Sequence, residues 1–160
     1  MKCSVVALTA LLLLAGCSAE AAGDDVQAPS ANTPSEAPTA PGLCDVTTER
    51  AMAATIGTQI DAFRAGDFEA AYEMAAPAFQ ASVSLEVFEA VITNGYASLL
   101  EAQSHRLSDC IVFPQRLANT VVTVRTTGGS TATYYYEMVK TDLGWRVLGA
   151  NAIAPVGTNT

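Results

Sequence analysis

Histidine and basic residues are scarce in this chain. His105 is the only histidine in 160 residues, and eight Lys and Arg stand against sixteen Asp and Glu, a formal net charge of -8. Neutralising a phosphate backbone takes clustered cations. Seven basic residues spread from Arg50 to Arg146 form no cluster, which argues against a nucleic acid partner. A nucleophilic triad needs a base near a nucleophile elbow, and His105, between Ser104 and Arg106, has no such signature around it. A surface or structural role is the plain reading of His105, a functional one the alternative. Zinc requires three or four nitrogen or sulfur ligands, so one His and the two cysteines beyond residue 40 predict no metal site. Gly128-Gly129 lacks the lysine and following helix of a phosphate cradle and reads as a hairpin turn; no cofactor is expected.

The first residues are processing signal. Lys2 precedes an almost unbroken apolar run from Val5 to Leu14, too short for a permanent membrane helix of about 20 residues but right for a secretory signal. Leu14-Ala15-Gly16-Cys17 resembles the lipobox of bacterial lipoproteins, which implies cleavage after residue 16 and a diacylglyceryl group on the Cys17 thiol, often with an acylated amino terminus. Each buried CH₂ contributes about 0.8 kcal/mol, so two or three chains would anchor the protein stably in the membrane. An ordinary signal peptide that happens to contain a Cys is the alternative. The protein is expected to be exported. Ser18 follows Cys17 where an Asp would favour inner-membrane retention, so in a Gram-negative cell the sorting rules point to the outer membrane, facing the periplasm. In a cell without an outer membrane the site is the outer face of the cell membrane.

From Ser18 to Gly42 there is no aromatic residue, and four of the seven prolines (Pro29, Pro34, Pro38, Pro41) fall here. Such a segment buries too little apolar surface to offset its ordering entropy and is expected to be a disordered tether. As a flexible coil its span is roughly 25 to 30 Å. It reads either as a stand-off spacer or as tolerated low complexity. The expected organisation is a signal peptide over 1–16, a lipidated Cys and tether over 17–42, one domain over 43–155 and a tail over 156–160. Twelve acidic and seven basic residues from Leu43 onward leave that part at -5.

The domain opens in helical grammar. Asp45 is placed to cap a helix whose Met52, Ile56, Ile60 and Phe63 form an apolar stripe, with Gly66 ending it. Asp67 caps a second, short helix carrying Phe68, Ala71, Tyr72 and Ala75, stopped before Pro77. Ser84 caps a third, with Leu85, Phe88, Val91 and Ile92 on one side and Asn94-Gly95 as a left-handed terminator. Beyond Tyr96 strands take over. An extended stretch is expected from Leu99 to Phe113, then Thr120 to Thr126, Thr131 to Lys140 and Trp145 to Ile153, joined by turns at Gly128-Gly129-Ser130 and Asp142-Leu143-Gly144. Three helices before an antiparallel sheet of about four strands is an α+β pattern.

Several of these segments carry a family resemblance. Gln59-Ile60-Asp61-Ala62-Phe63, Asp67-Phe68-Glu69-Ala70-Ala71-Tyr72, Ala75-Ala76-Pro77, Phe88 with Gly95-Tyr96, Tyr136-Glu137-Met138 and Gly144-Trp145-Arg146-Val147-Leu148-Gly149 look like an uncharacterised bacterial family similar to the nuclear-transport-factor-2-like, or cystatin-like, superfamily. The resemblance spans about Thr47 to Ile153. It implies a curved sheet wrapped around helices into a cone and brings no catalytic residues with it. The superfamily holds isomerases, dehydratases and hydrolases beside domains that only bind or dimerise, so fold alone does not settle function.

Acid-base work in such a cone would fall to carboxylates and phenols, here Asp61, Tyr72, Tyr96, Tyr134, Tyr136 and Glu137. Strand alternation puts Ala132, Tyr134, Tyr136 and Met138 on the helix-facing side and turns Glu137 away, which weakens the catalytic case. Tyr72, Tyr96, Tyr134, Tyr136 and Trp145 are candidate pocket residues, plain packing being the alternative. No catalytic residue is assigned. Tyr135, Val139, Leu148, Val121 and Thr123 leave the opposite sheet face apolar, which suggests a homodimer through the sheet, with a well-solvated monomer as the other reading. Cys3 leaves with the signal, so Cys44 and Cys110 remain to form a disulfide or stay as two buried thiols. The expectation is a lipid-anchored ligand-binding or protein-interaction module, its small-molecule or protein partner undetermined. The alternative is a small isomerase, dehydratase or hydrolase using carboxylate and tyrosine groups.

Overall fold

A computed structural model of the chain describes residues 39–154. The signal peptide, Cys17, nearly all of the tether and the tail lie outside them.

Asp45 accepts a hydrogen bond from Thr48 N at 2.7 Å and opens α1, Val46–Ala65. Its apolar stripe buries Met52, Ile56, Ile60 and Phe63, and Gly66 closes it at φ 71°, a left-handed conformation that glycine adopts without a Cβ clash. Asp67 caps α2, Phe68–Glu73, by accepting from Ala70 N at 3.0 Å. Pro77 was expected only to stop this helix. It also begins another, α3, Pro77–Gln80, where its missing N–H costs nothing in the first turn. Ser84 caps α4, Leu85–Gly95, which buries Phe88 and Ile92.

Two expectations fail next to each other. Gly95 stays inside α4 with no left-handed geometry, and the chain leaves at Tyr96, φ -129°. A further turn of helix, α5, Ala97–Leu100, then takes residues read as the start of a strand, because one turn suffices to bury Leu99 in the core. Among the described residues the α-helices number five, not three.

The sheet is antiparallel throughout, in the order β1 (Gly42–Leu43), β2 (Ala102–Phe113), β3 (Leu117–Thr126), β4 (Thr131–Thr141), β5 (Gly144–Ile153). Among the described residues five strands stand where about four are expected. The addition, β1, is two residues long and pairs with Ile111 and Val112, too short to show alternation in sequence. Beside it Cys44 is bonded to Cys110, with Cα atoms 5.4 Å apart, so the two thiols are bridged and not free.

Alternation along β3 and β4 sorts the two faces. Ala118, Thr120, Val122 and Val124 with Tyr134, Tyr136 and Met138 are buried under the helices, while Glu137 is exposed on the other side. Val121, Thr123, Tyr135, Val139 and Leu148 on that back face are each half-buried. At the outer edge of β5, Met74 O accepts from Val147 N at 2.9 Å and Ala76 N donates to Val147 O at 2.7 Å. The turn between α2 and α3 is thereby fixed to the sheet.

Candidate functional site

Between that turn, α4 and β5 lies a cavity of about 90 Å³. Gln59 and Phe63 reach it from α1, Ala75 and Phe79 from the turn and α3, Phe88, Val91 and Ile92 from α4. Tyr96 and Leu99 follow α4, Tyr136 comes from β4, and Val147 to Ala150 line it along β5. No charged side chain is among them.

Aromatic packing closes one wall. Phe88 is the hub, with ring centroids 5.8 Å from Phe63, 5.4 Å from Tyr72 and 6.0 Å from Phe79. Tilted and edge-on pairs at these distances stabilise by about 0.5 to 1.5 kcal/mol each beyond area burial. The polar lining is mostly occupied. Gln59, 3% exposed, donates from Nε2 to Ala71 O at 3.1 Å, and the Tyr96 hydroxyl donates to Ala150 O at 2.7 Å.

Tyr136 is different. It is fully buried, and its hydroxyl has no hydrogen-bond partner among the described residues. Desolvation, with smaller contributions from the Tyr134 and Tyr96 phenols, pushes its pKa above the ordinary phenol range. Burial also raises that of Tyr134.

Of the five candidate pocket residues, the fold brings Tyr96 and Tyr136 to the cavity and leaves three outside its wall. Tyr72 backs Phe88 and directs its hydroxyl at the carbonyls of Gln80 (3.0 Å) and Val83 (2.5 Å), donating its single proton to one at a time. Tyr134 stacks on Tyr96 with centroids 5.8 Å apart. Trp145 sits at the far end of β5, where Thr55 Oγ1 donates to its carbonyl at 3.1 Å. Asp61 and His105 do not reach the cavity either. Asp61 pairs with Arg64 at 3.1 Å on the exposed side of α1, and both line a separate pocket of about 260 Å³ with His105. His105 packs so near Gly57 that a Cβ there would lie 3.4 Å from Nε2. Glu137 borders another pocket, of about 320 Å³, on the back of the sheet.

Gln59 escaped the sequence reading as a site residue because it is polar, although its place three residues after Ile56 put it on the buried stripe. Phe79 was missed with the helix that carries it.

Residues 46–160 match the family model of DUF4864, a domain of unknown function. No curated protein matches the chain. Among solved structures, a domain of unknown function with a cystatin-like fold from Nostoc punctiforme aligns with a TM-score of 0.51 at 14% identity, covering 72% of this chain and 82% of that one. A SEC-C motif containing protein from Rhodopseudomonas palustris aligns at 0.43 and 15% identity, over 63% of this chain and 77% of its own. At such identity the first likeness shows a shared fold and nothing about ligands.

Proposed function

The chain belongs to the DUF4864 family, whose name assigns no chemistry, and from the character of its cavity we propose that it is a non-catalytic binding module held at the cell envelope. The carrying observation is the lining: fourteen residues, none charged, with the carboxylate and imidazole candidates Asp61, Glu137 and His105 all outside it. General acid-base catalysis needs a titrating group within reach of the substrate. Of the two phenols that line the cavity, Tyr96 is bonded to Ala150 O, and Tyr136, without a partner among the described residues, is held neutral by burial. A compact apolar molecule suits such a wall, since each methylene it brings out of water contributes about 0.8 kcal/mol.

The location follows from the lipobox-like Leu14-Ala15-Gly16-Cys17 and the tether after it, which supply an anchor and a stand-off from the bilayer. The half-buried apolar back of the sheet supports pairing of two copies there. Thermal melting of the full chain with toluene tests the binding reading. Toluene at millimolar concentration should raise the midpoint, and Ala150→Leu, which fills the cavity from β5, should abolish the rise. No rise with the unaltered chain refutes it.

A further inference from the structure

The turn that joins β2 to β3 is strained. Gln115 and Arg116 stand at φ 64° and 67°, left-handed positions where a tight hairpin ordinarily carries Asn and Gly. Larger side chains held there cost stability, and in natural proteins such strain gathers at ligand sites. Gln115 lines the pocket of about 320 Å³ on the back of the sheet, with Phe113, Leu117 and Leu148 as its apolar part and Asn119 and Glu137 beside them. That volume falls within the usual range for small-molecule sites, about 300 to 1,000 Å³. Gln115 and Glu137 are both exposed, so a ligand can reach them. Glu137 brings the only charge to the lining. Its cross-strand partner is Gly149, where a Cβ would lie 3.3 Å from Glu137 Oε2, so glycine there lets the carboxylate lie against β5. No cation of the protein answers it. The two ion pairs among the described residues are Asp61–Arg64 and Arg116–Asp142, and Arg146 gives Nη1 to the Trp145 carbonyl.

We propose that this pocket binds a small organic amine, its ammonium against Glu137 and its hydrocarbon part along Phe113, Leu117 and Leu148. The site is separate from the cavity under α4 and does not depend on what that cavity takes up. Charge selects the head group. Ammonium N–H groups find acceptors in the Glu137 carboxylate and in the amide oxygens of Gln115 and Asn119, the Asn119 N–H₂ being given to the Tyr135 hydroxyl. An anionic ligand would meet Glu137 with no cation on the lining to offset its charge. The pocket lies past the Val121–Tyr135 pair, toward the turn, so an amine there and a second copy over Val121 and Thr123 take different parts of the back face.

Titrating the purified full chain at neutral pH with hexylamine, 1-hexanol and hexanoate tests this, because the three share a hydrocarbon part and differ in the charge of the head. An ion pair at an exposed carboxylate predicts that hexylamine binds about twofold to fivefold more tightly than hexanol. Hexanoate should bind most weakly, and the advantage of the amine should shrink in molar salt. Backbone amide NMR during the hexylamine titration should shift Gln115, Leu117 and Asn119. Glu137→Gln, a change at an exposed position, should remove the advantage while hexanol still binds. Equal binding of hexylamine and hexanol, hexanoate binding best, or shifts confined to Val91 and Ile92 of the cavity overturns the proposal. So does an advantage that survives in Glu137→Gln, or no binding of hexylamine at all.

Discussion

Removing the bridge between Cys44 and Cys110 is the perturbation whose size can be worked out most directly. The two residues are 66 apart in sequence. In the loop-entropy model, closing such a span costs the unfolded chain about 4 kcal/mol of freedom that it regains on reduction. The native side has little to compensate with. Beside the bridge, Cys44 N donates to Cys110 O at 3.1 Å, and only Gly42 and Leu43 pair with β2 there, so the start of α1 is tied to the sheet by two residues of strand and one disulfide. Against a typical stability of about 5 to 15 kcal/mol, a loss of 4 is large. With an m-value near 2 kcal/mol per molar urea, the unfolding midpoint should fall by about 2 M in Cys44→Ala/Cys110→Ala. Trp145, the single tryptophan and 6% exposed, reports the transition by fluorescence. The m-value should also rise, because an uncrosslinked unfolded chain exposes more surface. A midpoint shift under about 0.5 M, a quarter of what the loop model requires, refutes the reasoning. So does alkylation of both thiols in the unreduced native protein.

Two further changes have defined signs. Asp45→Ala should destabilise by about 1 kcal/mol through loss of the α1 cap, while Asp45→Asn costs much less, as chemical denaturation at neutral pH will show. The backbone N–H of Thr48 lowers the Asp45 pKa, so its contribution is complete above the ordinary carboxylate pKa of 3.8 and is lost as pH falls through the lowered folded value. Tyr136→Phe in the ligand-free protein should leave stability unchanged or raise it, whereas deleting a paired hydroxyl costs about 1 kcal/mol. Because burial raises the Tyr136 pKa, its contribution is complete below pH 10.0 and declines as pH rises toward the folded value. The unaltered chain should therefore lose about 1.4 kcal/mol per pH unit more than the variant in alkaline urea melts.

Much of this architecture is legible in the sequence where a pattern repeats or a cap is chemical. Asp45, Asp67 and Ser84 each accept the expected backbone N–H, and the Met52, Ile56, Ile60, Phe63 stripe is buried as its spacing predicts. What escapes is short. One turn of helix at Pro77 or Ala97 and two residues of strand at Gly42 have no period to detect; tertiary packing and the bridge to Cys110 hold them. Gly95 shows the limit of local signals, since a glycine at a helix end permits the left-handed state without requiring it. At the site, β4 alternation placed Tyr134 and Tyr136 on the inner face, but only the mutual packing of α3, α4 and β5 decides which phenol meets the cavity. Tyr134 is covered by Tyr96, and Tyr72 is turned to the carbonyls of Gln80 and Val83. A cavity is a residue of imperfect packing among distant elements, and no single segment encodes it.

The central claim is that the cavity under α4 takes up a small apolar molecule. Methyl-resolved NMR of the full chain during a toluene titration tests it most directly, because apolar side chains stand on both faces of the sheet. Shifts at Val91, Ile92, Leu99 and Val147, with Val121 and Val139 on the back face unmoved, are the predicted result. No methyl shift up to the solubility limit of toluene, or shifts confined to Val121 and Val139, would contradict it.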